Sequence, residues 1–387
     1  MGLRIFLSCQ QSARRHAVPA YGFWEHYLKS GLNESGHEWI EAPGVDWAEG
    51  LLPLTKAARR QWLDRTWSGS LSFLRQEHAR RPIDLFLSYL FPSQVESAAV
   101  GAIRALGIPC VNFFCDNVRE FRRVPREFGA FDLHWVPEAE AIPLYRRHKL
   151  AAIHAPMPCW IDPRLRQARI REETGPSFIG SRDELRAALL ARAIALGARI
   201  QIYGSAWTGP PRAPQESAPC WGRLQNQAAF IHRQGLRAWS RKLGRALQPR
   251  RPPLEPPPEC LGPVVSADDY VRLTQDSEVT LGINRFPSFR HPPDRIATYS
   301  RLRDVEAPML GACYLTEWTE DIPHLYEPGK EIETYRTAEE LVEKLSMLHA
   351  EPERRKRLRL LGQRRALECH SVGRSLARIS EALNLEG

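Results

Sequence analysis

The chain of 387 residues contains no apolar run of the roughly 18 residues that a membrane-spanning helix needs, so no transmembrane helix is expected. Its eight cysteines, at 9, 110, 115, 159, 220, 260, 313 and 369, include no pair at C-x-x-C spacing. That argues against a zinc site and a disulfide framework, and fits a reducing cytoplasm. No cluster of metal-ligand type occurs elsewhere, so no metal and no separate cofactor is expected. The start, Leu3-Arg4-Ile5-Phe6-Leu7, is too short for a signal peptide and reads as a first strand. Lysine is scarce: 7 of the 54 basic residues are lysines and 47 are arginines, and the net charge is +9. Such a balance reflects either arginine-rich codon usage or an acidic partner, such as nucleotide phosphates or an anionic membrane face. No nucleic-acid-binding motif accompanies it, so nucleic acid is not an expected partner.

What is present reads as globular, with 43% hydrophobic and 26% charged residues, and the length predicts two domains. Strand and helix signals alternate. Residues 3–8 form a strand ending at the polar loop Ser8-Cys9-Gln10-Gln11, and 21–32 a helix with Phe23, Tyr27 and Leu28 on one period. Residues 50–80 are helical and 83–87 a buried strand. Ser93 is the expected N-cap of a helix reaching Leu106 and closed by Gly107. An apolar strand over 108–115 stops at Asp116, a further strand covers 131–136, and 144–148 is helical. This alternation predicts a parallel, doubly wound sheet, whose ligands lie beyond the carboxyl ends of the strands, where Asp116 stands. The proline-bearing stretch 155–175 marks the boundary between domains.

A second unit begins with the strand-to-turn string Phe178-Ile179-Gly180-Ser181-Arg182. A helix over 183–196 and a strand over 199–203 follow, the latter ending at Gly204-Ser205-Ala206-Trp207. Proline clusters in 208–260 flank a basic helix candidate. Phe230, Ile231, Leu236, Trp239, Leu243 and Leu247 are its apolar residues, and Arg233, Arg237, Arg241, Lys242 and Arg245 carry its charge. It is either a surface insertion packed on its own domain or an interfacial helix, 225–250, touching a membrane or a lipid-linked acceptor. A helix over 266–273, a strand over 279–283 and a polar loop containing Asn284 lead to the most informative stretch, 299–335.

There Arg303 and Glu306, three residues apart, share a helix face. Gly311 closes that helix, 312–316 and 331–335 are short strands, and Pro328-Gly329 makes the turn between them. Thr337 and Glu340 form a capping box for a helix with Leu341, Leu345 and Leu348 inward. The string Arg303-Asp304-Val305-Glu306, Gly311, Leu315-Thr316, Gly329-Lys330-Glu331, Glu339-Glu340-Leu341 resembles the C-terminal half of a GT-B glycosyltransferase of the group 1 superfamily. Within it the CgeB-like, spore-maturation-protein-like branch of bacterial enzymes is the nearest pattern.

The resemblance implies an α/β GT-B fold: two Rossmann-like doubly wound domains facing across a cleft. The acceptor-side domain would cover 1–160, with a C-terminal helix, 371–387, packing back on it. The nucleotide-sugar donor domain would cover 170–370. The implied activity is transfer of a sugar from a UDP-, GDP- or dTDP-type donor to a glycan, lipid-linked, protein or small-molecule acceptor, without a metal. A non-catalytic binding or scaffold protein of the same fold is the alternative. Glu306 would accept hydrogen bonds from the ribose hydroxyls and project into a solvent-filled cleft. Arg303 and Arg182 would clamp the diphosphate, with backbone N–H groups at Gly180 and Ser181 beside it. Tyr203, Gly204 and Trp207 would hold the base, with Asn284 completing the donor site. Asp116 would act as general base, with His16 and His26 as weaker candidates. Two family features are missing: the glycine-rich loop after the first strand, and the first acid of the E-x7-E motif, replaced here by Thr298.

Overall fold

The computed structural model describes residues 2–12, 14, 21–167, 172–207, 235–247, 254–292 and 295–385. The chain divides into two compact units. One comprises Met1–Val118, Arg123–Trp160 and Glu368–Gly387, the other Arg119–Arg122 and Ile161–Leu367.

The first unit contains β1 (Arg4–Ser8), α1 (Tyr21–Glu34), β2 (Glu38–Ile40), α2 (Lys56–Arg80), β3 (Leu85–Ser88) and α3 (Ser97–Arg104). It continues with β4 (Cys110–Phe113), α4 (Asn117–Glu120, which enters the second unit), β5 (Leu133–Val136), α5 (Ile142–Arg147) and β6 (Ala152–His154). The six strands pair in parallel in the order β2-β1-β3-β4-β5-β6. β1, β3, β4 and β5 are buried along their whole length, as expected of parallel strands covered by helices on both faces. The C-terminal helix Val372–Leu383 packs on α1, β5 and β6. Gly31, inside α1, is where it docks: a Cβ there would come within 2.4 Å of the Val372 side chain.

Two local expectations change. Ser93 is exposed and caps nothing: Pro92–Gln94 form a 3₁₀ turn and α3 begins at Ser97. The reason is the neighbouring Gln94, whose buried amide bonds Phe91 N, Gln10 and the Trp47 carbonyl, and so draws this segment into the core. A short strand, β6, lies over Ala152–His154, where the half-buried sequence carries little strand signal.

The second unit contains β7 (Ser177–Ile179), α6 (Glu184–Ala195), β8 (Gln201–Tyr203), α7 (Leu236–Leu247), α8 (Ala267–Asp276), β9 (Thr280–Gly282), β10 (Arg285–Phe286) and β11 (Ala297–Thr298). After these come α9 (Arg303–Met309), β12 (Tyr314–Glu317), α10 (Ile322–Leu325), β13 (Glu333–Tyr335), α11 (Ala338–Ala350) and α12 (Pro352–Cys369, whose last two residues belong to the first unit); α13 is the C-terminal helix already placed. Five strands pair in parallel in the order β13-β12-β9-β7-β8, and β10 and β11 form an antiparallel pair within the loop expected to be irregular. The chain leaves β7 toward β8 on one side and returns to β9 on the other. Their carboxyl ends are therefore the switch point at which such sheets bind ligands. Phe178, Leu190, Leu281, Leu315, Leu341 and Leu345 form the core beneath it.

Gly311 and Gly329 have φ of 79° and 83°, the left-handed conformation that ends a helix or makes a tight turn. The Thr337 side chain caps α11 by accepting from Glu340 N at 3.2 Å, while Glu340 reaches back to Arg336 N rather than to Thr337. Phe230, Ile231 and Arg233 lie outside the described residues, as does His16.

Candidate functional site

Three arginines converge beyond the carboxyl end of β7. The loop after β7 runs through Gly180, Ser181 and Arg182 to Asp183, whose carboxylate caps α6 by accepting from Leu185 N and Arg186 N. One turn into α6, Arg186 folds back. Its Nη1 donates to the Ser181 carbonyl at 2.9 Å, and its guanidinium lies 6.0 Å from the Phe178 ring centroid. Its side chain is 11% exposed. Burial above all, and then the positive charge of Arg301, push its pKa down to about 10; Arg303 adds to the effect and Asp183 opposes it. Arg301 stands over the Tyr299 ring at 4.8 Å and donates to the Arg285 carbonyl at 3.1 Å. Arg303, the first residue of α9, stands over the Tyr270 ring of α8 at 5.0 Å. Burial works against its charge, but Tyr270 and Glu306 outweigh it and raise its pKa.

The patch is under-satisfied. Arg301 Nε and Arg303 Nη1 are buried with no hydrogen-bond acceptor among the described residues. Arg186 Nε faces Asp183 Oδ2 at 3.1 Å without hydrogen-bond alignment. Three like charges with buried, unsatisfied N–H groups are costly, and a bound anion would relieve both costs.

Beneath the patch lies a buried acid that sequence reasoning did not single out. Asp304 is fully buried and accepts from Asn284 Nδ2 (3.0 Å), Ser300 Oγ (2.9 Å), Arg301 N (2.9 Å), Tyr314 Oη (2.8 Å) and Thr316 Oγ1 (2.8 Å). Gly282 makes room for it: a Cβ there would meet the Tyr314 and Thr316 hydroxyls at 2.2 and 2.3 Å. Glu317, also missed, pairs with Arg285 Nε at 2.9 Å and accepts from Asn284 N and Arg285 N. Asn284 thus spends its amide N–H groups on Asp304, Thr316 and the Glu317 carbonyl. The one signal in the sequence was an acid, Asp304, heading the otherwise apolar run that holds Glu306.

Glu306 is 9% exposed and accepts a hydrogen bond from the Tyr270 hydroxyl, so it does not project into open solvent; α8 covers it. Arg182 lies apart from the arginine patch in its bonding: its guanidinium pairs with Glu255. The Gly180 N–H is taken by the Tyr203 carbonyl at 2.8 Å and its carbonyl by Trp207 Nε1 at 2.6 Å. Gly204, with φ 125°, lies so close to Gly180 that a Cβ would meet its carbonyl oxygen at 2.4 Å. Ser181 is exposed, Tyr203 half-buried against Gly262, and Trp207 buried in the core with Phe178.

In the first unit, Asp116 is half-buried in the loop after β4. Its neighbour Asn117 is anchored by the buried Glu138, which accepts from Asn117 N at 2.9 Å and Nδ2 at 2.7 Å, while Tyr145 donates to Asn117 Oδ1 at 2.7 Å. His26 is exposed on α1, edge-on to the Trp160 ring at 5.4 Å. A cavity of about 850 Å³ opens beyond the ends of β1 and β2, lined by Gln11, Glu25, Glu41, Asp46, Glu49 and Arg65 among others. Among the described residues no group of three or more His, Cys, Asp or Glu side chains is placed to hold a metal ion, and no helix is long and apolar enough to cross a membrane.

A family model described as glycosyl transferase-like matches residues 182–381. No curated protein matches the chain. Among solved structures, sucrose-phosphate synthase from Thermosynechococcus elongatus has a TM-score of 0.55 at 11% identity, over 99% of this chain and 98% of that one. Anabaena HepE in complex with UDP has a TM-score of 0.53 at 10% identity, over 99% of both chains. AviGT4, a glycosyltransferase involved in avilamycin A biosynthesis, has 0.51 at 16% identity, over 98% and 96%. At such identities the likeness speaks for the fold alone, and it agrees with the two parallel Rossmann-like sheets in being GT-B. The family match itself spans more than half of the sequence, and by it the chain belongs to the glycosyl transferase-like family.

Proposed function

We propose that the chain is a glycosyltransferase of the CgeB-like branch that uses a nucleotide-activated sugar. Its donor would lie on the second unit and its acceptor on the first. The observation that carries this reading is the convergence of Arg186, Arg301 and Arg303 with buried, unsatisfied N–H groups at the sheet's switch point. When the bond between the sugar's anomeric carbon and the diphosphate oxygen breaks, negative charge grows on the leaving phosphate. Fixed guanidinium groups already in place stabilise that charge most where water is excluded. Glu306 would accept from the ribose hydroxyls, and Asp116 would take the proton of the attacking acceptor hydroxyl. The donor would be of UDP, GDP or dTDP type; Anabaena HepE has been solved with UDP and with UDP-glucose.

The test is calorimetric titration with UDP, GDP, dTDP and CMP. A nucleoside diphosphate should bind, and Arg303→Ala should weaken it by about tenfold while leaving the free nucleoside nearly unaffected. Equal affinity in the variant sinks the assignment. A non-catalytic binding or scaffold role is favoured by one observation: Thr298, where an acid is expected, is paired with Arg285 between β10 and β11. Slow hydrolysis of a nucleotide sugar without acceptor would argue for the enzyme, and tight binding with no turnover for the scaffold.

A peripheral membrane contact through α7 belongs to the same proposal. Leu236 and Leu243, one face of the helix, are 65% and 47% exposed beside the exposed Arg237. Arg241 is already committed to the Arg290 carbonyl at 2.5 Å, whereas Arg245 makes only a 3.8 Å ion pair with Glu184, so the informative change is Arg237→Glu with Arg245→Glu. That pair should abolish sedimentation with phosphatidylglycerol vesicles. Unchanged sedimentation, or none by the parent protein, would leave α7 as a packing element.

A further inference from the structure

The two motif residues of α9 share one partner that belongs to no motif. Tyr270, on α8, donates its hydroxyl to Glu306 Oε2, and its ring lies 5.0 Å from the Arg303 guanidinium. Arg303 and Glu306 are three residues apart, one turn of helix, so one aromatic side chain laid across that turn reaches both. The two contacts differ in kind. The hydroxyl fixes the plane of a carboxylate. The ring holds a guanidinium through its π face, which constrains the group without consuming its N–H donors. Arg303 shows the consequence: its Nη1 is buried and has no acceptor among the described residues. Arg182 shows the opposite case, with its donors spent on Glu255.

We infer that Tyr270 is the positioning residue of the donor site, orienting Glu306 through its hydroxyl and Arg303 through its ring. The inference rests on the donor-site reading above. It separates the tyrosine into two parts with two ligands. The hydroxyl acts on the nucleoside half through Glu306, and the ring acts on the diphosphate half through Arg303. Tyr270→Phe removes the first and keeps the second, whereas Tyr270→Leu removes both.

The experiment is titration calorimetry on the full chain with UDP, GDP and dTDP, and with inorganic pyrophosphate, alongside thermal melts. Tyr270→Phe should weaken the best-bound nucleoside diphosphate about fivefold and leave pyrophosphate unchanged. Tyr270→Leu should weaken pyrophosphate as well, by about threefold. The loss caused by Tyr270→Phe should vanish when it is made in a Glu306→Ala background, because a residue acting through Glu306 has nothing left to act on. A purely structural tyrosine would instead weaken every ligand alike, pyrophosphate included, and would do so with or without Glu306. If Tyr270→Phe binds nucleotides as the parent does, or if its loss persists undiminished without Glu306, the positioning role is overturned. If the parent chain binds no nucleoside diphosphate, the donor-site reading itself fails, and this inference with it.

Discussion

Glu306 has a structural partner as well as a proposed ligand. A carboxylate accepting from both ribose hydroxyls makes charge-assisted bonds worth roughly 1.5–3 kcal/mol together. Glu306→Ala is therefore expected to lower nucleotide affinity by about tenfold or more, at ~1.4 kcal/mol per decade, and Glu306→Gln by less. A side chain projecting into solvent, as the sequence alone implies, would leave folding indifferent to this change. The structure points the other way, because the side chain is 9% exposed and bonded to the Tyr270 hydroxyl. Glu306→Ala should cost about 1 kcal/mol of stability as well, read by urea denaturation, and Glu306→Gln less, since its amide oxygen can still accept. Loss of affinity with no loss of stability would mean that the Tyr270 contact contributes nothing to folding.

At the scale of elements, α9 is held by what lies around it more than by its own cap. Leu302 precedes it and offers no side-chain cap. Asp304 instead ties its first turn to the strands: Tyr314 and Thr316 of β12 donate to it directly, and Asn284, just past β9, donates from the other side. Asp321 adds a bond to Ser300 N at 3.0 Å. Arg301 and Arg303 thus stand on a segment fastened to two adjacent parallel strands, while Arg186 stands on α6. A rigid base of this kind lets them keep their spacing against mutual repulsion when no anion is bound. On α7, by contrast, Leu236 and Leu243 remain exposed, which is why its role is open to a vesicle experiment.

At the scale of the molecule, each unit has its own sheet and its own stability determinants. In the first, His134 on β5 is buried with Nδ1 at 2.9 Å from the Ala151 carbonyl and Nε2 at 2.9 Å from the Phe128 carbonyl. Burial, the larger effect, outweighs these two carbonyls and holds its pKa below the ordinary value. Below a pH of about 6.5 the unfolded chain takes up a proton that the folded ring resists, so stability falls as pH falls. Melting temperatures measured from pH 7 to pH 5 should drop more steeply for the parent than for His134→Gln, whatever the absolute stability of the variant. Parallel slopes would show that His134 does not contribute to the acid limb.

Features governed by near neighbours in the chain are legible in the sequence by itself. The alternation of strand and helix, the GT-B resemblance over 262–371, the turn glycines Gly311 and Gly329, the Thr337 cap and the shared face of Arg303 and Glu306 all depend on contacts a few residues apart. What the sequence could not disclose depends on closure of the chain. Tyr270 meets Glu306 across 36 residues, and Glu317 meets Arg285 across 32. The choice between Arg182 and Arg186 is the clearest case. The two are four residues apart in an arginine-rich chain, and nothing local distinguishes them as anion ligands. Glu255, 73 residues away, pairs with Arg182 and takes up its donors, whereas the loop around Ser181 and the ring of Phe178 turn Arg186 inward beside Arg301 and Arg303. A carboxylate brought in from a distant segment lowers the energy of one guanidinium and leaves the other to share a buried patch of like charge, and that difference exists only once the second unit is folded.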